Sequence, residues 1–170
     1  MFGGKRFKDR NLRSLVLSSA RSYLFNQVVS ARVRQQLQNQ LLLGDVCMLH
    51  GSHSFFCWQD EQTRVETEAR LLANDIQLTA PLWGRGESIS QADACELETR
   101  ALQSSDDMKN GLERAGLKQE RRVLQLKPEP IAWQWQGTDL TLSFRLPTGT
   151  FATSVLREIV RVTRPASGLG

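Results

Sequence analysis

Over the first forty residues, apolar side chains return every three or four positions: Leu12, Leu15 and Val16, then Tyr23, Val29, Val33 and Leu37, with Ser19 keeping the register. That spacing predicts a long amphipathic helix over about 12–38, with Asn11 as its N-cap. Gly44-Asp45 breaks the pattern, and two short strands at 46–49 and 54–58 flank a Gly51-Ser52 turn. A helix is expected over 61–74, with Val65, Ala69 and Leu72 on one face, and a strand over 76–79. "APLWGRGE" then closes the strand, since Pro81, Gly84 and Gly86 disfavour regular structure. Ser90 opens a helix running to about 103, and Asp93 completes a capping-box-like pattern. A last short helix near 107–115 ends at Gly116, a natural C′ position.

The pattern changes at "LKPEPIAW". Pro128 and Pro130 end the helical spacing, and alternating residues predict strands at 131–136 and 140–146, joined by "GTD". Trp133 and Trp135 fall on one strand face, as do Leu140 and Leu142. A helix from about 152 to 162 follows, and "RPASGLG" reads as a frayed tail. The whole is a mixed α+β chain: helices with a small sheet over 1–126, then a strand–strand–helix unit over 127–170. That unit is too small to bury a Trp-rich sheet by itself. It is expected to complete a larger sheet whose other strands are not in this sequence.

Composition narrows the class only modestly. The 170 residues are 40% hydrophobic, as in ordinary globular proteins. No apolar run approaches the ~20 residues of a membrane span. "MFGGKRFKDR" is too polar for a signal peptide. Three cysteines without a CxxC pair fit reduced thiols in the cytoplasm. Charge adds more. Eight of the Lys/Arg residues (Lys5, Arg6, Lys8, Arg10, Arg13, Arg21, Arg32, Arg34) fall between Met1 and Gly44, against one acid, Asp9. Such a basic end suits a polyanion, nucleic acid or an anionic membrane surface; the plainer alternative is a solvated helix face. Phe2, Phe7, Tyr23 and Phe25 are interleaved with these cations, and cations with stacking rings are the chemistry of RNA contact. Burial preference assigns Tyr23 and Phe25 to the core. Lys5, Arg6, Lys8, Arg10 and Arg13 remain as the leading RNA-contact candidates.

Catalytic constellations are sparse. Cys47, His50, His53 and Cys57 hold possible zinc ligands, yet the spacing has neither a Cys–Cys nor a His–His knuckle, so no metal site is assigned. There is no G-x-S-x-G elbow, and the two histidines have no Ser or Cys relay. "WGRGES" lacks the phosphate-loop pattern. Asp106-Asp107 reads as solvated charge at a helix start.

One stretch is more pointed. In "LPTGTFATSVLREIV", a proline–glycine turn delivers Phe151 to the mouth of a helix bearing Arg157 and Glu158. Together with "KDRNLRSLVLSSARSYLFNQVVSARV", the pair Gly44-Asp45 and "LTAPLWGRGE", it resembles the TruD family of tRNA pseudouridine synthases. The resemblance implies a catalytic domain interrupted by an α/β insertion domain. Residues 1–126 would be most of that insertion, and 127–170 the segment that returns to complete the catalytic sheet. It implies isomerisation of uridine 13 of tRNA to pseudouridine, without a cofactor, by a cytoplasmic protein that is monomeric at full length. By the same resemblance Phe151 contacts the target uridine, Val155 and Leu156 wall the pocket, and Arg157 faces phosphate or forms a structural salt bridge.

The sequence departs from the family's pattern at two motifs. The nucleophilic aspartate belongs to a G-x-K-D-K-like motif, and nothing here matches it; Asp9 in "FKDRN" does not. "FGGKRF" echoes the family's N-x-F-G-x-Q-R-F-G motif without its Asn and closing Gly. The chain therefore corresponds to the C-terminal half of the family and is expected to be inactive alone. A non-catalytic module for structured RNA is the alternative. A small metal-binding structural protein would rest on the Cys/His cluster only.

Overall fold

The first helix, α1 (Arg10–Arg34), starts two residues earlier than its apolar spacing suggests. Asp9, not Asn11, is its N-cap: the carboxylate accepts the backbone N–H of Asn11 at 2.8 Å and of Leu12 at 3.4 Å. The computed structural model describes residues 9–128, 130–146 and 150–161. They fall into two compact units divided between Gln125 and Leu126.

In the first unit, the buried face of α1 is not the strip that the spacing marks. Ala20, Leu24, Phe25, Val28, Ala31 and Arg32 are buried, whereas Leu12, Leu15, Tyr23 and Val33 are exposed. At 100° per residue the two sets lie on opposite sides of the helix. Phe25 is thus a core residue as expected, and Tyr23 is not. The sequence holds two apolar strips, and the one carrying Ala20, Leu24, Phe25, Val28 and Ala31 packs into the core. The same inversion occurs in α2 (Arg64–Leu72), preceded by a 3-10 turn at Glu61–Thr63. Its Val65, Ala69 and Leu72 face solvent and Thr67 is buried.

Strands β1 (Val46–Leu49), β2 (Phe55–Cys57), β3 (Ile76–Leu82) and β4 (Glu120–Val123) form an antiparallel sheet in the order β2-β1-β3-β4. β3 runs three residues beyond its predicted end, through Pro81. The first part of β3 pairs with β1 (Cys47 opposite Leu78) and the last part with β4 (Pro81 opposite Arg121). The bond from Leu124 N–H to the Leu78 carbonyl sets the ladder's phase. Even-numbered residues of β3 then form the bonded pairs, and the Pro81 nitrogen points away from β4. Pairing with β1 stops at Leu78, so no ladder bond is lost there. β4 itself, "ERRV", carries no strand signal in its sequence, because three of its four residues are charged.

Helices α3 (Ala92–Ala101) and α4 (Asp106–Arg114) join α1 around one apolar cluster that includes Ala80, Leu97, Leu102 and Leu112. A second cluster gathers Leu41, Cys47, Trp58, Ile76 and Leu78, with Leu71 of α2 against it. Central β3 feeds both. α3 is preceded by Gln91 without a side-chain cap bond, so the expected capping box does not form. Ser90 instead donates to Glu98 Oε2 at 2.6 Å.

Two buried ion pairs lock this unit. Arg32 and Asp45 are wholly buried and bonded to each other. Arg32 also donates to the carbonyls of Leu37 and Gln40, and Asp45 accepts the Leu42 N–H at 2.8 Å. Burial holds the Asp45 carboxyl above its ordinary range, against the opposing pull of Arg32. Gly44, just before it, has φ +83°, and a Cβ there would lie 1.9 Å from the Gln91 carbonyl oxygen. The second pair is Arg121 with Glu98, bidentate at 2.7 and 3.1 Å. Arg121 Nε also donates to Thr79 Oγ1 at 3.0 Å.

In the second unit, β5 (Ala132–Gln136) and β6 (Asp139–Ser143) form a two-residue hairpin, with Gly137 at φ +63° in the turn. Trp133 lies opposite Leu142 and Trp135 opposite Leu140, so these four share one face. No residue of β5 is buried. α5 (Ala152–Ile159) closes the described part. Val162, in the expected last turn of that helix, lies outside the described residues.

Breaking the first pair from one side should be severe. Asp45→Asn leaves the Arg32 guanidinium buried without its counter-charge, and we expect a loss of about 3–5 kcal/mol in urea or thermal unfolding. An unfolding midpoint equal to that of the unaltered chain would contradict this role.

Candidate nucleic-acid interface

Each unit carries its own candidate surface. In the first, the cations expected to meet RNA do not behave alike. Arg10 and Arg13 are exposed on the first turns of α1, ahead of Ala20, the first buried residue of the helix. Neither forms an ion pair among the described residues. Lys5, Arg6 and Lys8 lie outside the described residues. Two of the eight N-terminal cations are committed to the fold. Arg32 is in the buried pair, and Arg21 donates to the carbonyls of Trp83, Leu82 and Lys118 and to Glu120. Counting charges along a sequence has no means of separating these from the solvated ones. The basic end is therefore a weaker electrostatic feature than composition implies.

The second unit presents Phe151. It occupies the N-cap position of α5 in extended backbone (φ −118°, ψ 126°), and the residue is 70% exposed. Ser154 N–H bonds to its carbonyl at 3.0 Å, which holds the first turn. An aromatic cannot cap a helix through its side chain, so nothing in the local chain requires a ring here. Val155 is buried and Leu156 half-buried, while Arg157 and Glu158 are exposed. Arg157 makes no ion pair among the described residues, so the salt-bridge alternative for it is not seen. A solvent-facing ring with apolar neighbours can stack on a base.

The Cys/His group is dispersed. Cys47 is buried in β1, and its thiol is pushed up to about 12 by burial, with the charges of Asp45 and Cys57 adding to it. A thiol so held stays protonated at neutral pH and is a poor metal ligand or nucleophile. Cys57 donates to the Gly44 carbonyl, and His50 Nδ1 shares a hydrogen bond with Asn74 Nδ2 at 3.1 Å. Among the described residues no three His, Cys, Asp or Glu side chains converge as metal ligands do. No helix among them is long and apolar enough to cross a membrane.

Comparison with known proteins identifies the family of the chain. The family model described as tRNA pseudouridine synthase D (TruD) matches residues 6–159, and the chain belongs to that family. It is 55% identical over 168 residues to the tRNA pseudouridine synthase D of Aeromonas hydrophila, covering 99% of this chain and 47% of that one. The corresponding Shewanella oneidensis protein is 48% identical over 160 residues, covering 94% of this chain and 42% of that one. The chain thus spans about half the length of the curated relatives it matches. Among solved structures, a TruD protein from Methanosarcina mazei superposes with a TM-score of 0.63 at 22% identity. That match covers 81% of this chain and 36% of the other, and it shows a shared fold.

Because Phe151 is mostly in solvent, Phe151→Ala in a full-length protein carrying this chain should change the unfolding free energy by no more than about 0.5 kcal/mol. A buried aromatic would instead lose about 3–5 kcal/mol on the same truncation. Thermal unfolding of the purified pair separates the two, and a loss in the larger range would make Phe151 a packing residue.

Proposed function

We propose that this chain is the portion of a tRNA pseudouridine synthase that supplies the base-stacking ring, but not the nucleophile, for isomerising uridine 13 of tRNA. Membership of the TruD family and the coverage of half its relatives' length support that reading. The observation that carries it is Phe151, an exposed aromatic at a loop-to-helix junction where no local structural need accounts for it. Residues 1–126 would correspond to most of the insertion domain and 127–170 to the returning part of the catalytic domain. The hairpin agrees with this assignment, because its Trp133/Trp135/Leu140/Leu142 face suits a strand of a wider sheet. The full-length protein would act as a cytoplasmic monomer and needs no cofactor for the chemistry.

The reaction keeps every atom of the nucleoside. The bond from C1′ to N1 breaks, the uracil turns, a bond from C1′ to C5 forms, N1 gains a proton and C5 loses one. The enzyme must take the uridine out of its stack and hold the detached base dry while it turns. Phe151 would hold the base by its face, which restrains tilt without fixing the ring's in-plane rotation. Val155 and Leu156 would exclude water beside it, and Arg157 would meet a flanking phosphate. The aspartate that assists glycosidic cleavage lies in a motif absent from these 170 residues, so the chain alone should not turn over.

Two measurements test this. The isolated chain should release no tritium from tRNA labelled at uracil C5, and release above background would refute the missing-nucleophile claim. In a full-length enzyme carrying this chain as its C-terminal half, Phe151→Ala should lower the single-turnover rate while tRNA affinity stays nearly unchanged. Base stacking of about 1–3 kcal/mol corresponds to roughly five- to 150-fold in rate when lost from the transition state. A variant that turns over at the parental rate would remove Phe151 from the site. Binding of tRNA without any turnover by the parental full-length protein would favour the non-catalytic RNA module.

A further inference from the structure

From the loop "WGRGE" after β3, we infer that Arg85, with Lys118 and Arg114 beside it, forms a phosphate-binding site for the tRNA backbone. This rests on the tRNA reading above and names a surface for it in the first unit. The loop is bonded through its backbone to the segment after α4. Arg85 N–H bonds to the Leu117 carbonyl at 2.6 Å, and its own carbonyl accepts the Gln119 N–H at 2.9 Å. These bonds form a parallel bridge between Arg85 and Lys118. Gly84 makes that approach possible, since a Cβ there would lie 2.3 Å from the Lys118 carbonyl carbon and oxygen. Gly86 on the other side has φ +117°, which only glycine adopts readily.

The side chain is oriented as well. Arg85 Nε donates to the Glu113 carbonyl at 2.5 Å, at the end of α4. Its two terminal nitrogens have no partner among the described residues, and the residue is exposed. Arg114 and Lys118 are also exposed and make no ion pair among the described residues. The carboxylate of Glu113 is bonded to Trp83 Nε1 and that of Glu120 to Arg21, while Glu87 stands exposed two residues on. An arginine fork fixed at Nε with both terminal N–H pairs open matches the two non-bridging oxygens of a phosphodiester. A solvated charge with no binding role would not require a loop clamped on both sides to aim it.

The test measures binding of unmodified tRNA transcript to the 170-residue chain across a salt series, with unfolding midpoints recorded for each variant. Arg85→Ala should weaken binding roughly three- to tenfold near 0.1 M salt and flatten the slope of log affinity against log salt by about 0.7–0.9, one phosphate's worth of counterion release. Arg85→Lys should restore most of the slope and only part of the affinity, because the charge returns without the fork. Arg70→Ala removes the same charge from the Asp75 pair elsewhere and should do neither. An Arg85→Ala variant that binds like the parent, or no better or worse than Arg70→Ala, overturns the site while leaving the tRNA reading intact. Absence of tRNA binding by the parental chain also overturns it, and full-length turnover then judges the tRNA reading separately.

Discussion

A guanidinium and a carboxylate, both removed from water, fix where the first helix meets the sheet. Arg32 sits in the last turn of α1 and Asp45 one residue before β1. Between them the chain must turn, and the carbonyls of Leu37 and Gln40 are drawn onto the same guanidinium. Two ions in an apolar interior are stable only as a pair, so helix and strand cannot separate without exposing both. Gly44 permits the geometry by letting the backbone of Gln91, at the start of α3, lie against it. The short "GD" signature is thus a joint among three elements, and the Arg121–Glu98 pair repeats the device between α3 and β4.

That rigidity is what gives the surface loops meaning. A loop whose backbone is bonded on both sides can aim an arginine; a mobile one would lose entropy on binding for each residue it ordered. The second unit is different in kind. A two-stranded hairpin without one buried residue in β5, carrying two tryptophans on a single face, gains too little from its own packing to be stable in isolation. Its apolar face is what the proposed place in a wider sheet would cover.

Much of this is legible in the residues. Short apolar runs on either side of Gly51-Ser52 mark β1 and β2, alternation marks β5 and β6, and the "GTD" turn marks the hairpin. Other features are not, for identifiable reasons. Apolar spacing offers two candidate faces for α1, and only packing against Ala80 and the helices beside it selects the one bearing Leu24, Phe25 and Val28. β4 is hidden because Arg121 is buried by ion pairing, and no hydropathy pattern records that. Pro81 suggests the end of a strand that in fact continues, because its nitrogen lies off the ladder. Counting cations overstates the basic surface, as Arg21 and Arg32 serve the fold.

The role proposed for the second unit depends on whether the Phe151 ring meets the base that is isomerised. A photoreactive phenylalanine analogue placed at position 151 of the full-length enzyme, irradiated with tRNA bound, would report its neighbour directly. Mapping the adduct should return a single nucleotide, the same uridine that the unmodified enzyme converts. Adducts scattered over the tRNA, or confined to a nucleotide that is never converted, would contradict the account.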